Sequence, residues 1–301
     1  PMDIMFIAQN ELKLIDKELV SSVLPKRSAK SHKGNYGNLL NICGSNNMGG
    51  AAMMVTLSAM RMGVGKTTLA STKCVIDRCC GNMMEAMTIS LPQNSNGEIQ
   101  SESIAVLNKS LKQSTACLIG CGLGCSKNTR EIVEYVIDNA DCPIILDADA
   151  LNVISQDLTI LNNLKTPAVI TPHIGEMARL SALTIEEVQK SSMSIAKQFA
   201  LEHNVTVVLK NYRTLIVTPK GEIFQNTTGN AALAKGGSGD VLAGMIASLI
   251  AQGISCKDAA LAAIYIHGYC ADRLVQRMSQ YSVLARDLIE EIPFALKEVV
   301  L

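Results

Sequence analysis

From residue 37 onward, short unbroken apolar runs alternate with longer stretches in which apolar residues recur every three to four positions. The runs at 38–43, 67–72, 86–91, 116–120, 143–146 and 168–171 have strand length, and those at 116–120, 143–146 and 168–171 have no polar face, as strands covered on both sides do. The periodic stretches at 50–62, 101–113, 129–139, 175–180 and 185–202 predict helices. Residues 205–210, 214–218 and 222–225 predict strands, the last two joined as a hairpin by Pro219-Lys220-Gly221. Helices dominate from residue 239 to the end, and an early helix is expected over 4–23. This alternation predicts an α/β fold with a mostly parallel central sheet and helices on both faces. No repeat, linker or low-complexity tract divides the 301 residues. One domain over 1–301 is therefore expected, with 1–30 as an N-terminal extension and helix.

Ligands of open α/β sheets sit beyond the carboxyl ends of the strands. That rule selects the loops after residues 43, 120, 146, 171 and 210, together with 236–240. The last is the most informative. Gly236, Gly237, Ser238, Gly239 and Asp240 stand directly before an apolar helical run. A helix starting there turns its unpaired N–H groups into the loop, and the glycines leave them open to close approach. Gly236, Gly237, Ser238 and Gly239 thus form a candidate anion hole. Asp240 does not suit anion binding by charge, but a carboxylate beside a phosphate socket suits a base that deprotonates a hydroxyl during phosphoryl transfer. The purely structural alternative makes Ser238 an N-cap and Asp240 a first-turn acid.

Two other glycine loops are decoys. Gly63-Val64-Gly65-Lys66-Thr67 lacks the first Walker A glycine, since position 60 is Met60, and it enters a strand rather than leaving one. Gly120-Cys121-Gly122-Leu123-Gly124 has its third glycine one residue too early for a dinucleotide fingerprint, although a glycine turn at a strand end still marks a ligand edge. Composition narrows the classes. Lys+Arg and Asp+Glu are both 27, and aromatic residues make up 3% with no Trp, which argues against nucleic acid and anionic membranes as partners. The ten cysteines include no C-x-x-C pair and are scattered through apolar runs, which predicts reduced thiols and a cytoplasmic protein. His267 and Cys270 fall one helical turn apart but lack further ligands for zinc.

The remaining loops carry polar groups at strand ends. Asp147 and Asp149 could hold Mg²⁺ through water, orient a lysine, or cap a helix. His173, in Thr171-Pro172-His173-Ile174-Gly175-Glu176, is a ligand donor or a capping residue. Lys210 and Arg213, in Lys210-Asn211-Tyr212-Arg213-Thr214, are candidates to face nucleotide phosphates. Gly44 to Ala51 is small and glycine-rich, leaving room for a flat ligand at a helix start.

In order and spacing these segments resemble the ADP/ATP-dependent NAD(P)H-hydrate dehydratase family. The resemblance runs from about residue 31 to the C-terminus and rests on His32-Lys33-Gly34 with Gly37, Gly44-Ser45 with Met48 to Ala51, the Gly120–Gly124 turn, Leu146 to Leu151, Thr171 to Glu176, and Asn226 with Gly229 to Asp240. It implies a ribokinase-like fold and a carbon–oxygen lyase that repairs the S-epimer of hydrated NADH and NADPH (NADHX, NADPHX). It implies a nucleotide phosphate donor with Mg²⁺, ADP in bacteria and ATP in eukaryotes. Carried over, Asp240 is the catalytic and substrate-binding aspartate. Ala51, Gly122, Gly124 and His173 match substrate positions, and Lys210, Asn211, Tyr212, Arg213, Thr214 and Gly239 match nucleotide positions. The resemblance further implies a homotetramer, with any epimerase supplied by a separate protein. The chain departs from the family pattern at Cys121 and Thr228, where proline is usual, and at Asn211, where glycine is frequent. The competing readings are a vitamin-precursor or sugar kinase on the same scaffold, which would accumulate a phosphorylated product, and a non-catalytic nucleotide sensor, which would need no base.

Overall fold

A computed structural model describes residues 12–300. Its frame is a ten-stranded sheet in the order β1-β10-β9-β8-β7-β6-β5-β2-β3-β4. The strands are β1 (Leu12–Ile15), β2 (Asn38–Ile42), β3 (Lys66–Thr72), β4 (Met87–Leu91), β5 (Ala116–Ile119), β6 (Ile144–Leu146), β7 (Ala168–Ile170), β8 (Thr206–Leu209), β9 (Leu215–Val217) and β10 (Ile223–Asn226). Every pairing is parallel except those of β9 with β8 and β10. The expected hairpin is therefore present, and a second antiparallel step precedes it.

Helices α1 (Lys17–Val23), α2 (Gly49–Arg61), α3 (Lys73–Cys79), α10 (Ser238–Ala251), α11 (Cys256–Leu274) and α12 (Ala285–Val300) share one hydrophobic layer. Helices α4 (Ser103–Lys112), α5 (Lys127–Asn139), α6 (Asp149–Ile154), α7 (Ile174–Leu180), α8 (Ile185–Lys190) and α9 (Ser192–His203) cover the other face. The central strands feed both layers by alternation: Leu39 and Cys43 point to the first, Leu40 and Ile42 to the second. That is why these strands read as continuous apolar runs.

Three elements differ from the sequence expectation. Of the helix expected over 4–23, residues 4–11 lie outside the described residues. Leu12–Ile15 is an edge strand in register with β10, and only Lys17–Val23 is helical, capped by the Asp16 side chain. The 185–202 helix is two helices, meeting at Ser191. Helix α3 follows β3 without a loop and was not expected.

The chain steps from β2 out to β3 and β4, then returns to place β5 on the other side of β2 and continues outward through β8. The carboxyl ends of β2 and β5 therefore flank a topological switch point, the ordinary ligand crevice of such sheets. Among the described residues no helix is long and apolar enough to cross a membrane, and all ten cysteines are free thiols.

Candidate active site

The glycine loop returns from β10 to the same edge as the carboxyl ends of the parallel strands. Gly229 N–H and the Asn230 side chain anchor it to the two carboxylate oxygens of Asp272 on α11, each at 2.8 Å. Lys235 Nζ holds its far side to the Tyr281 carbonyl at 2.6 Å. Helix α10 then begins with Gly237 as its cap residue at φ 91°, where a side chain would be strained and would also strike the Met54 sulfur. Ser238 is not the cap. Its hydroxyl lies 3.3 Å from Nε2 of the buried His267, and its N–H donates to the Lys235 carbonyl. Among the described residues, the N–H groups of Gly236, Gly237, Gly239 and Asp240 make no hydrogen bond within the protein. The open N–H groups are thus those of three of the four residues expected to form an anion hole, plus that of Asp240. Burial pushes the His267 ring down to about 4, so it stays neutral beneath this loop. Cys270 is buried in the helix layer, and among the described residues neither it nor His267 belongs to a group of metal-ligating side chains.

Beside the socket lies an ion pair. Asp147, directly after β6, is 1% exposed and accepts from Lys210 Nζ at 2.9 Å through Oδ1. Of the roles open to Asp147 from sequence, orienting a lysine is the one its geometry displays. Burial alone would lower the Lys210 pKa, but Asp147 and Glu176 outweigh it and hold the ammonium above the usual lysine value. A Cβ on Gly239 would lie 3.4 Å from Lys210 Nζ, so the lysine cation stands at the first turn of α10. Asp240 completes the group. Burial first, then the Asp147 carboxylate, push its carboxyl up to about 6, against the opposing Cys121 thiol and Lys210. At neutral pH it is mostly ionised and a far better base than an ordinary aspartate.

The β5 turn packs against this group. Gly120 has φ 130°, and a Cβ there would collide with the Asp147 carbonyl. Gly122 has φ 67°, and a Cβ on it would come within 3.0 Å of Ala51 Cβ, so these two expected substrate positions are neighbours across the switch point. Gly124 N–H donates to Asp149 Oδ2 at 2.8 Å, which makes Asp149 a clamp on this turn. Cys121 is fully buried with its thiol 3.4 Å from Asp147 Oδ2. Its hydrogen bond to Cys43, its burial and the two carboxylates raise its pKa well above the ordinary thiol value.

His173 caps α7 in a reciprocal box. Its Nδ1 accepts from Gly175 and Glu176 N–H at 3.0 and 3.2 Å, while its own N–H donates to Glu176 Oε2. The capping and ligand readings are therefore compatible, because two donors on Nδ1 place the neutral ring's proton on Nε2. The side chain is 55% exposed, with Nε2 3.6 Å from Glu176 Oε1. Lys210 N–H donates to the Pro172 carbonyl, tying the His173 and Lys210 loops together. The rest of the second loop turns outward: Tyr212 is 81% exposed, Arg213 reaches the Thr227 carbonyl, and Thr214 bonds back to Asn211. The structure thus groups Lys210 with Gly239 and Asp240 and sets Asn211, Tyr212 and Arg213 on the rim. Sequence reasoning missed Asp272 and the proximity of Cys121 to both carboxylates. Neither has a local signal, since the partners are tens of residues away.

A family model described as NAD(P)H-hydrate dehydratase matches residues 39–294. An ADP-dependent (S)-NAD(P)H-hydrate dehydratase of Bacillus subtilis is 36% identical over 277 residues, covering 92% of this chain and 95% of the relative. A bifunctional NAD(P)H-hydrate repair enzyme of Moorella thermoacetica is 35% identical over 92% of this chain. The chain spans about half the length of that relative, 52%, and nearly all of the first. A crystal structure of the ADP/ATP-dependent NAD(P)H-hydrate dehydratase from Bacillus subtilis, co-crystallised with ATP/Mg²⁺, superposes with a TM-score of 0.84 at 34% identity, covering 95% of this chain and 98% of the other. A ribokinase-like superfamily protein from Enterococcus faecalis gives 0.84 at 30% identity with 96% of each chain covered.

Proposed function

The chain belongs to the NAD(P)H-hydrate dehydratase family, and on that premise we propose that it is a lyase restoring NADH and NADPH from their S-epimeric hydrates with ADP or ATP as phosphate donor. The observation that carries the reading is the juxtaposition of an open N–H socket, the Lys210–Asp147 pair and Asp240 with its raised pKa at one helix start. Its thiols, all free, suit the reducing cytoplasm.

The reaction follows from these groups. The donor's terminal phosphates lie against the N–H groups of Gly236, Gly237 and Gly239, with Lys210 adding a cation. The hydrate spans the switch point, packed on Ala51 and the Gly122–Gly124 turn, with His173 Nε2–H as a hydrogen-bond donor. Asp240 accepts the proton of the ring hydroxyl as that oxygen attacks the terminal phosphorus. The bond to the nucleotide breaks, giving AMP from ADP, and the socket stabilises the charge on the transferring group. The ring-nitrogen lone pair then expels phosphate and a proton leaves the adjacent ring carbon, regenerating the reduced nicotinamide. Mg²⁺ fits this donor set: a hard cation bound largely by phosphates and water needs only one or two carboxylates, and Asp147, paired with Lys210 beside the first turn of α10, would supply one. When bound it would neutralise phosphate charge.

The test supplies hydrated NADH with ADP, then with ATP, each with Mg²⁺, and follows reduced-nicotinamide absorbance together with free phosphate. Recovery of both in equal amounts is expected. A phosphorylated product that accumulates without phosphate release would favour the kinase, and binding without turnover the sensor.

A further inference from the structure

Cys121 is a buried polar side chain beside Asp240 that the proposed reaction does not use. Its sulfur, one Asp147 oxygen and one Asp240 oxygen lie within 4.8 Å of one another. The three donors come from three separate segments: the end of β5, the end of β6 and the first turn of α10. Lys210 occupies Asp147 Oδ1 at 2.9 Å, while Oδ2 faces the thiol at 3.4 Å. Oδ2 and the sulfur therefore already face each other through the thiol hydrogen bond, and Asp240 closes the triangle.

Charge accounting gives this triangle a direction. Asp147, Asp240 and the nearby Glu176 set three carboxyl groups against the one Lys210 ammonium, which leaves a largely buried site with an excess of negative charge. A divalent cation that displaces the thiol proton adds two positive charges and one negative, which reduces that excess by one. A thiolate with two carboxylate oxygens is a mixed soft and hard donor set, poor for Mg²⁺ and suited to zinc-like cations. Three protein ligands leave the fourth tetrahedral position to water or a phosphate oxygen. Metal–ligand lengths of about 2.0–2.3 Å set donors roughly 3.5 Å apart, so closure needs about 1 Å of side-chain movement.

We propose that Cys121, Asp147 and Asp240 form a binding site for a thiophilic divalent cation, and that its occupancy shuts the active site off. On binding, the Sγ–H bond breaks, a sulfur–metal bond forms and the proton leaves to solvent, with no change of oxidation state. The metal engages the Asp240 oxygen that would receive the substrate proton, so turnover stops. Binding is independent of the dehydratase reading, and only the inhibition rests on it.

The full chain is titrated with Cd²⁺ in excess Mg²⁺, without nucleotide, reading the ultraviolet thiolate-to-cadmium charge transfer and the protons released. Zn²⁺ inhibition is then measured with each variant normalised to its own rate in Mg²⁺ alone. Cys121→Ala is expected to lose one equivalent of Cd²⁺ with its charge-transfer band and to need at least about tenfold more Zn²⁺ for half-inhibition. Cys125→Ala, which alters an exposed thiol at the same turn, is expected to match the parent chain. Cys121→Ser supplies the same comparison if the alanine variant melts early. Unchanged cadmium stoichiometry and zinc sensitivity in both Cys121 variants overturns the proposal, as does loss of the band in Cys125→Ala instead. Absence of turnover in Mg²⁺ alone would count against the dehydratase reading and leave the cadmium arm readable.

Discussion

Asp240 sits in a poor environment for its own charge, and that has two measurable consequences. Asp240→Asn should lower turnover by about 10²–10⁴-fold while nucleotide binding changes little, because the socket's N–H groups remain; equilibrium binding beside steady-state rates checks this. In the native chain activity should fall as pH drops through about 6, where the carboxyl takes up its proton. Stability should move the opposite way. A carboxyl whose folded pKa is raised destabilises the fold above that pKa, and the penalty fades as pH falls from about 6 toward the ordinary aspartate value. Asp240→Asn should therefore be more stable at pH 7–8, by about 1–3 kcal/mol. The gap should close by pH 4. His267 has the reverse slope: its folded pKa is lowered to about 4, so its contribution is complete above the ordinary histidine value and is lost on acidification. The two offset each other in the native chain. Melting curves of Asp240→Asn between pH 6.5 and 4 should thus show a steeper acid loss than the parent. Asp240 and its glycines were legible because they are consecutive in the chain. The Lys210–Asp147 pair, 63 residues apart, was legible only as two loops carrying opposite charges, and the Cys121 position between two carboxylates was not legible at all.

Two helix contacts decide how firmly the elements hold the site. Helices α2 and α10 carry the Ala51 start and the Asp240 start respectively, and they touch where α10 has Gly244. A Cβ there would collide with Ser58 Oγ and the Val55 carbonyl oxygen. Because one obstacle is backbone, Gly244→Ala should force the helices apart, costing about 1–3 kcal/mol and lowering kcat more than the helix propensity gained. Thermal melts and kinetics on the same sample distinguish this from a harmless substitution. Helices α11 and α12 are clamped by Glu291, 1% exposed, which accepts from Arg273 and Arg277. Glu291→Ala leaves the half-sheltered Arg273 without this partner, and a loss of about 3 kcal/mol is expected; chemical denaturation measures it. Helix existence was readable from apolar spacing, but limits were not. The 185–202 helix breaks at Ser191, where the backbone departs from helical angles at φ −129°. The edge strand Leu12–Ile15 exists through pairing with Ile223–Asn226, a partner no local pattern reveals.

At the scale of the molecule, the sheet has a ligand end and a floor, and sequence motifs alone do not say which is which. Alternation of strands and helices was sufficient for the fold class and for the parallel sheet. The strand order was not readable, and with it the fact that β2 and β5 flank the switch point. The Walker-like run tests the distinction. Gly65 and Lys66 sit at the start of β3, where their N–H groups donate to the Tyr36 and Gly37 carbonyls. A Cβ on Gly65 would collide with the Lys33 carbonyl oxygen, so Gly65 serves close chain packing here. His32, prominent in the family resemblance, caps the short 3₁₀ turn Lys33–Tyr36 at the same floor. Lys210 stands at the opposite end, beside Gly239. Lys66→Met should therefore leave nucleotide affinity unchanged within error. Lys210→Met should weaken it roughly tenfold or more, and should also leave Asp147 buried without its cation. Calorimetric titration of both variants with ADP separates the two ends of the sheet, since equal losses would mean that the nucleotide does not lie at the α10 start.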